Sequence, residues 1–226
     1  MIHLISLNFE YLDEPLRIEH CTSLVIENRA LFAKLVAHIH QYEGAADYVQ
    51  LYDERYTNLK ANELMVITDI LGFDVNAPNV LKMIYHDLEL QISQKPEQKT
   101  EIERLLNEVT KLVNEELLDF DIDLISDEIT FLEVLKALGV QIEVQTDTIF
   151  ERVFEIIQVF KYLSKKKLLL LINNGVYFST AEMQAIAEYA KLQNISMLLL
   201  DPLKVSGLQP CYFLDNDYCL LREKMV

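Results

Sequence analysis

The chain has 226 residues, 51% of them hydrophobic, with five glycines and five prolines. That argues against a disordered chain or independent modules on a flexible linker and predicts one large domain, or a domain carrying a substantial insertion. A formal net charge of −16 argues against nucleic-acid binding by the surface as a whole, because phosphate contacts need basic groups. The charge is uneven, however: His86 to Asp147 holds 16 acids and 5 bases, against 20 acids and 15 bases elsewhere, so a basic patch outside the acidic stretch is allowed.

The opening MIHLISLNFEYLDEP has neither a basic start nor a long apolar run, and the longest aliphatic runs, such as Leu168 to Ile172, are strand-sized. The expectation is a cytoplasmic protein with no signal or membrane span. HLISLNFEYL, LRIEH and TSLVIEN read as short strands, with a break at Asp13-Glu14-Pro15. Leu31, Leu35, His38 and Ile39, with Phe32 and Val36, then recur at the spacing of an amphipathic helix, which Gly44 closes.

The period changes in the middle. ELMVITDILGF, APNVLKMIYHDLELQISQ and PEQKTEIERLLNEVTKLVNEELLDFD all read as helix, punctuated by Gly72, Pro78 and Pro96. Leu105, Leu106, Val109, Leu112 and Val113 form an apolar stripe, and TFLEVLKALG is a further helix ending at Gly139.

After Asp147, helix TIFERVFEIIQVFKYL, strand KLLLLIN, helix TAEMQAIAEYAKL and strand ISMLLLD alternate, before two last strands near CYFLD and DYCLLR. Wholly apolar strands separated by helices predict a buried, largely parallel sheet. The reading is an α/β head, residues 1–62 and 145–226, with an inserted α-helical leg, residues 63–144.

Strand, turn and helix near the N-terminus is where a phosphate-binding loop would sit, but the turn reads VIENRALF. It lacks the glycines, the lysine and the hydroxyl that hold phosphate and magnesium. LLLLINNG likewise ends in Asn173 and Asn174 where a magnesium-binding aspartate is expected. Nucleotide hydrolysis, and a nucleotide ligand, are therefore not expected. Cys21, Cys211 and Cys219 are odd in number and widely spaced, which predicts buried, reduced thiols and no thiolate zinc site. The five histidines form no recognisable nucleophile or metal motif.

The densest polar feature is Glu115, Glu116, Asp119, Asp121, Asp123, Asp127 and Glu128, with no base among them. Asp119, Asp121 and Asp123 imitate the start of an EF-hand loop, but Leu124 stands where its glycine belongs and Thr130 where its last ligand belongs. Composition alone favours a solvated acidic loop. The alternation of Phe120, Ile122, Leu124 and Ile129 with the acids predicts instead a packed segment, and packed carboxylates favour a hard cation such as calcium. The basic counterpart is Lys161, Lys165, Lys166 and Lys167, with Arg29, Lys34, Arg55 and Lys60 earlier. Lysine treats phosphate as a point charge, which suits holding a backbone without reading sequence.

ELMVITDILGFDVN, LLDFDIDLISDEITFLEVLKALGV, QTDTIFERVFEIIQVFKYLSKKKLLLLIN and the terminal DNDYCLLREKMV together resemble the type II-A CRISPR-associated adaptation proteins of the Csn family. The resemblance runs in order over nearly the whole chain. It implies a degenerate P-loop-ATPase-like head with a mostly parallel sheet, plus the helical leg. It also implies a homotetrameric ring whose lysine-lined hole accepts the ends of double-stranded DNA, with Ca2+ at acidic positions. The partners it implies are the CRISPR integrase proteins and the guide-directed nuclease, in spacer acquisition.

Carried onto this sequence, the match makes Glu116, Asp119, Asp121, Asp123, Asp127 and Glu128 the calcium candidates, with Glu115 beside them. Lys60, Lys161, Lys165, Lys166 and Lys167 become the DNA candidates. Two readings from other classes stay open: an inactive ATPase-like scaffold for protein partners, and a metal-dependent nuclease.

Overall fold

The computed structural model describes residues 4–44, 48–119, 121–144, 148–163, 165–204, 208 and 210–222. The chain divides into two units, residues 1–73 with 145–226, and residues 74–144.

The first unit contains two sheets. β1 (Ile5–Phe9) pairs antiparallel with β2 (Leu16–Ile18) and with β4 (Val49–Asp53). β3 (Cys21–Ile26) leaves that sheet for a larger one. There it is joined by β5 (Leu64–Ile67), β6 (Leu168–Ile172), β7 (Met197–Asp201), β8 (Cys211–Leu214) and β9 (Leu220–Arg222), in the order β5-β6-β7-β3-β8-β9. All pairings are parallel except β8 with β9. As the wholly apolar runs require, β3, β6 and β7 are buried along their entire length.

Alternation decides what each face meets. Leu24, Ile26, Leu168, Leu170, Leu198 and Leu200 share a core with Leu31, Leu35 and Ile39 of α1 (Arg29–His40) and with β1, β2 and β4. Helices α5 (Ile149–Tyr162) and α6 (Thr180–Leu192) pack together, and each buries an apolar stripe that includes Ile156, Phe160, Met183 and Ile186. Both are started by reciprocal caps, Thr148 with Glu151 and Ser179 with Glu182, which satisfy first-turn amides.

The second unit contains α2 (Pro78–Ser93), α3 (Pro96–Leu117) and α4 (Phe131–Ala137), the first two beginning at proline and the last capped by Thr130. Asn76 clasps Ile142 through both its amide groups, at 2.8 and 2.9 Å, and the Tyr85 hydroxyl donates to the Val140 carbonyl at 2.7 Å. Gly139 takes φ +64, the left-handed conformation expected after α4.

Four expectations need correction. ELMVITDILGF is not a helix: Leu64–Ile67 is an edge strand paired with β6, and a four-residue apolar run has no period that separates strand from helix. The second unit accordingly begins at Asp74. α1 ends at His40, and Gly44 lies beyond it at φ +106, held close to the Leu59 carbonyl. β4 was not anticipated, because VQLYD is short and only its alternate residues are buried. Cys21 and Cys211 are buried, but Cys219 is exposed in a hairpin turn.

Candidate nucleic-acid and metal sites

The turn after β3, which lacks the residues of a phosphate-binding loop, is closed by a side chain. Asn28 caps α1, its side-chain oxygen accepting from the amides of Ala30 and Leu31, both at 3.1 Å. The donors that would face a phosphate at a helix N-terminus thus already have an acceptor within the chain. At the end of the sheet's next two strands, Asn173 turns through φ +58, and the Asn174 side-chain amide donates to the Ile67 carbonyl at 3.1 Å. Asp201 closes β7 with one oxygen accepting from the Gly175 amide at 2.9 Å, while its other oxygen is buried with no hydrogen-bond partner among the described residues.

Burial pushes the Asp201 carboxyl up to about 6, against the lowering effect of the Gly175 and Asn174 amides. A folded-state pKa above the unfolded value gives stability that is complete below about pH 4 and lost as pH rises through 6. Asp201→Asn is therefore expected to raise unfolding stability by about 3 kcal/mol at pH 7.5 and to leave it nearly unchanged at pH 4. Urea midpoints at the two pH values check this; an equal effect at both would remove ionisation as the cause.

The lysines divide by environment. The turn before β5 and the residues before β6 meet where Leu64 pairs with Leu168. Here the Lys167 amide donates to the Glu63 carbonyl at 2.7 Å and its ammonium pairs with the Glu63 carboxylate at 2.5 Å. The Lys60 amide holds the same carboxylate at 2.8 Å. Burial works to raise the Glu63 pKa, but the Lys167 and Lys60 hydrogen bonds outweigh it and hold it low. Lys166 turns inward to the Leu64 carbonyl, and burial lowers its pKa. Lys165 and Lys60 are exposed, and Lys165 has no ion-pair partner among the described residues.

One corner therefore gathers Lys60, Lys165, Lys166 and Lys167, two of them engaged by the chain itself. Lys161 is not tied into it: on the last turn of α5, its ammonium donates to Gln193. Lys34 is held by Glu10 at 3.3 Å and by the Tyr48 ring, whose centroid is 4.1 Å away. Arg29 is exposed, as is Arg55.

The acids lie in the second unit. Glu115 and Glu116 are on the last turns of α3, the Asp119 amide donates to the Glu116 carbonyl, and Asp121, Asp123, Asp127 and Glu128 follow on irregular chain. Ser126 ties that chain back to Asn114 at 2.6 Å. All six calcium candidates are exposed, and Glu128 also lines a cavity of about 410 Å3 with Glu89 and Glu103. The packed segment predicted from alternation holds only at its end, where Ile129 is half-buried and lines that cavity: Ile122 and Leu124 are exposed, Ile125 is 94% exposed, and Phe120 falls outside the described residues. The alternation has no strand to pair with, so it has no core to face.

As a donor set the segment suits a hard cation, since its groups are carboxylates beside the negative end of a helix dipole. Among the described residues, no three acidic, thiol or imidazole groups already converge as a metal cage.

Most of the stripe on α3 is also uncovered, Leu106 alone being half-buried in the cavity that Ile129 lines. Leu105, Val109, Leu112 and Val113 are all exposed, and α3 buries none of its residues. Among the described residues no helix is long and apolar enough to cross a membrane.

β3 between its neighbours β7 and β8, with β6 and β5 beyond β7, defines an α/β protein built on a mostly parallel sheet, and the turn after β3 is closed by a side-chain cap. Residues 41–218 match the family described as CRISPR-associated protein (Cas_Csn2), and the chain belongs to that family. It is 46% identical to the CRISPR-associated protein Csn2 of Streptococcus agalactiae, over 99% of this chain and all of that one. It is likewise 46% identical to that of Enterococcus faecalis, over 96% of this chain and 98% of that one. The crystal structure of Stu0660 of Streptococcus thermophilus superposes with a TM-score of 0.55 at 11% identity, covering 95% of this chain and 74% of that one, which shows a shared fold.

Proposed function

We propose that this chain is a non-catalytic, cytoplasmic protein that assembles as a homotetrameric ring and holds the ends of double-stranded DNA during CRISPR spacer acquisition. Calcium stabilises the ring, and the integrase proteins and guide-directed nuclease are its partners. The observation that carries the reading is the lysine corner: on a chain of net charge −16, exposed Lys60 and Lys165 stand together at one edge of the sheet. Several copies of such a corner around one hole concentrate positive charge that a single chain lacks. The exposed apolar stripe of α3 supports assembly, because burying such a face is the usual use of one.

A gel shift with labelled linear duplex, run in calcium and again in magnesium, tests the reading. Retention without cleavage in calcium is expected, with closed circular duplex of the same sequence competing poorly because it offers no end. Absence of a shift would favour the protein scaffold, cleavage would favour the nuclease, and equal competition by circles would remove threading.

A further inference from the structure

Two hairpins in the first unit are built alike. In Asp53-Glu54-Arg55-Tyr56-Thr57, one Asp53 oxygen accepts from the amides of Arg55 and Thr57 at 2.9 and 3.0 Å, and the Tyr56 amide donates to the Asp53 carbonyl at 2.9 Å. In Asp215-Asn216-Asp217-Tyr218-Cys219, Asp215 receives Asp217 and Cys219 at 2.9 and 2.8 Å, and the Tyr218 amide donates to Asp215. Each turn places its tyrosine at positive φ, +56 and +62, where glycine is the easy choice. Each then stacks that ring on a second tyrosine, Tyr56 on Tyr52 at 5.6 Å and Tyr218 on Tyr11 at 4.5 Å.

The second pair already has its cation. Lys34 stands 6.0 Å from the Tyr11 centroid and 4.1 Å from that of Tyr48, and the Glu10 carboxylate balances it. The first pair has rings and carboxylates but, among the described residues, no lysine or arginine over either ring. Tyr52 and Tyr56 wall a cavity of about 420 Å3, to which Glu14, Asp53 and Glu54 contribute three carboxylates against the single guanidinium of Arg17. Tyr56 is 83% exposed, so its ring is displayed and not packed.

We propose that this cavity docks an arginine side chain from a basic segment of a partner protein, stacked on Tyr52 and Tyr56 and paired with the surrounding carboxylates. A guanidinium fits better than an ammonium because it is planar, stacks on an aromatic face and can bridge a carboxylate through two donors. The excess of carboxylates selects against nucleic acid at this surface. The cavity belongs to the first unit and the six calcium candidates to the second.

The probe is an acetylated hexapeptide carrying three arginines, titrated calorimetrically against the full chain, beside a counterpart in which citrulline replaces each arginine. Tyr56→Gly removes a ring without changing charge, and glycine suits φ +56, so the turn is kept. Tyr52→Ala removes the other ring. The arginine peptide is expected to bind wild type, to bind each variant about fivefold more weakly, as loss of one cation–π contact implies, and the citrulline peptide is expected not to bind. If Tyr56→Gly binds the arginine peptide as wild type does, the attraction is only that of a net-negative surface and the proposal fails. Equal binding of the citrulline peptide overturns it as well. If Tyr56→Gly loses linear duplex and keeps the peptide, the tyrosines serve nucleic acid and the assignment is wrong.

Discussion

Reversing Lys60 and Lys165 together, as Lys60→Glu and Lys165→Glu, is expected to collapse duplex binding while leaving fold and assembly intact. Both side chains are exposed, Lys165 spends none of its charge on an ion pair within the described chain, and the hold of Lys60 on Glu63 runs mainly through its backbone amide, which the substitution keeps. Lysine bound to phosphate releases condensed counterions. In the proposed tetramer, two lysines in each of four copies would make eight contacts at most, and losing them should lower the slope of log affinity against log salt by up to about 7. At moderate salt the affinity loss should be on the order of a hundredfold or more. Lys167→Ala is the contrasting variant. Its ammonium is committed to Glu63 and only partly exposed, so its loss should cost about 1 kcal/mol of folding stability and leave the salt slope unchanged. Fluorescence anisotropy with labelled duplex across a salt series measures both. A double variant with the wild-type slope would place the DNA-contacting charge elsewhere, and a Lys167→Ala protein with a reduced slope would show that the Glu63 pair opens for DNA.

That contrast marks where the sequence stops being informative. Lys165, Lys166 and Lys167 are adjacent and chemically identical, so the sequence assigns them one role. Their fates separate only because Glu63 and Leu64, a hundred positions earlier, form the neighbouring strand and offer a carboxylate and a carbonyl to two of the three. β6 and β7 were legible because five consecutive buried residues leave no other reading. β5 was not, because LMVI is preceded by Glu63 and followed by residues that extend a plausible helical period. That VIENRALF lacks the residues of a phosphate loop was legible in the sequence, whereas the Asn28 cap that engages the first amides of α1 is visible only as geometry. The paired tyrosine turns did leave a written signal, since Asp-x-x-Tyr occurs at both Asp53 and Asp215. Nothing in that spacing discloses a positive φ, which comes from closure of the hairpin around the aspartate.

Replacing Asp123 and Asp127 together, as Asp123→Asn and Asp127→Asn, is expected to weaken calcium binding on the order of a hundredfold and to lower the proportion of ring at micromolar concentration. The coupling of the two effects follows from where charge and apolar surface lie. Leu112 and Val113 are exposed on the last turns of α3, Ile122 and Ile125 are exposed just beyond it, and the acids are interspersed among them. A second copy that covered those apolar groups would desolvate neighbouring carboxylates, at a cost that grows with every unpaired charge. A divalent cation removes that penalty by supplying charge where the α3 carbonyls and the acids both favour it. Assembly should therefore depend on calcium in the wild-type chain. The double variant, with two fewer charges, should bind calcium poorly yet lose less of its assembly on chelation than wild type does. Isothermal calorimetry with calcium, and light scattering before and after chelation, separate these outcomes. Identical calcium binding by wild type and variant would move the site off this segment; a wild-type ring that keeps its mass after chelation would show that calcium is bound without holding the ring together.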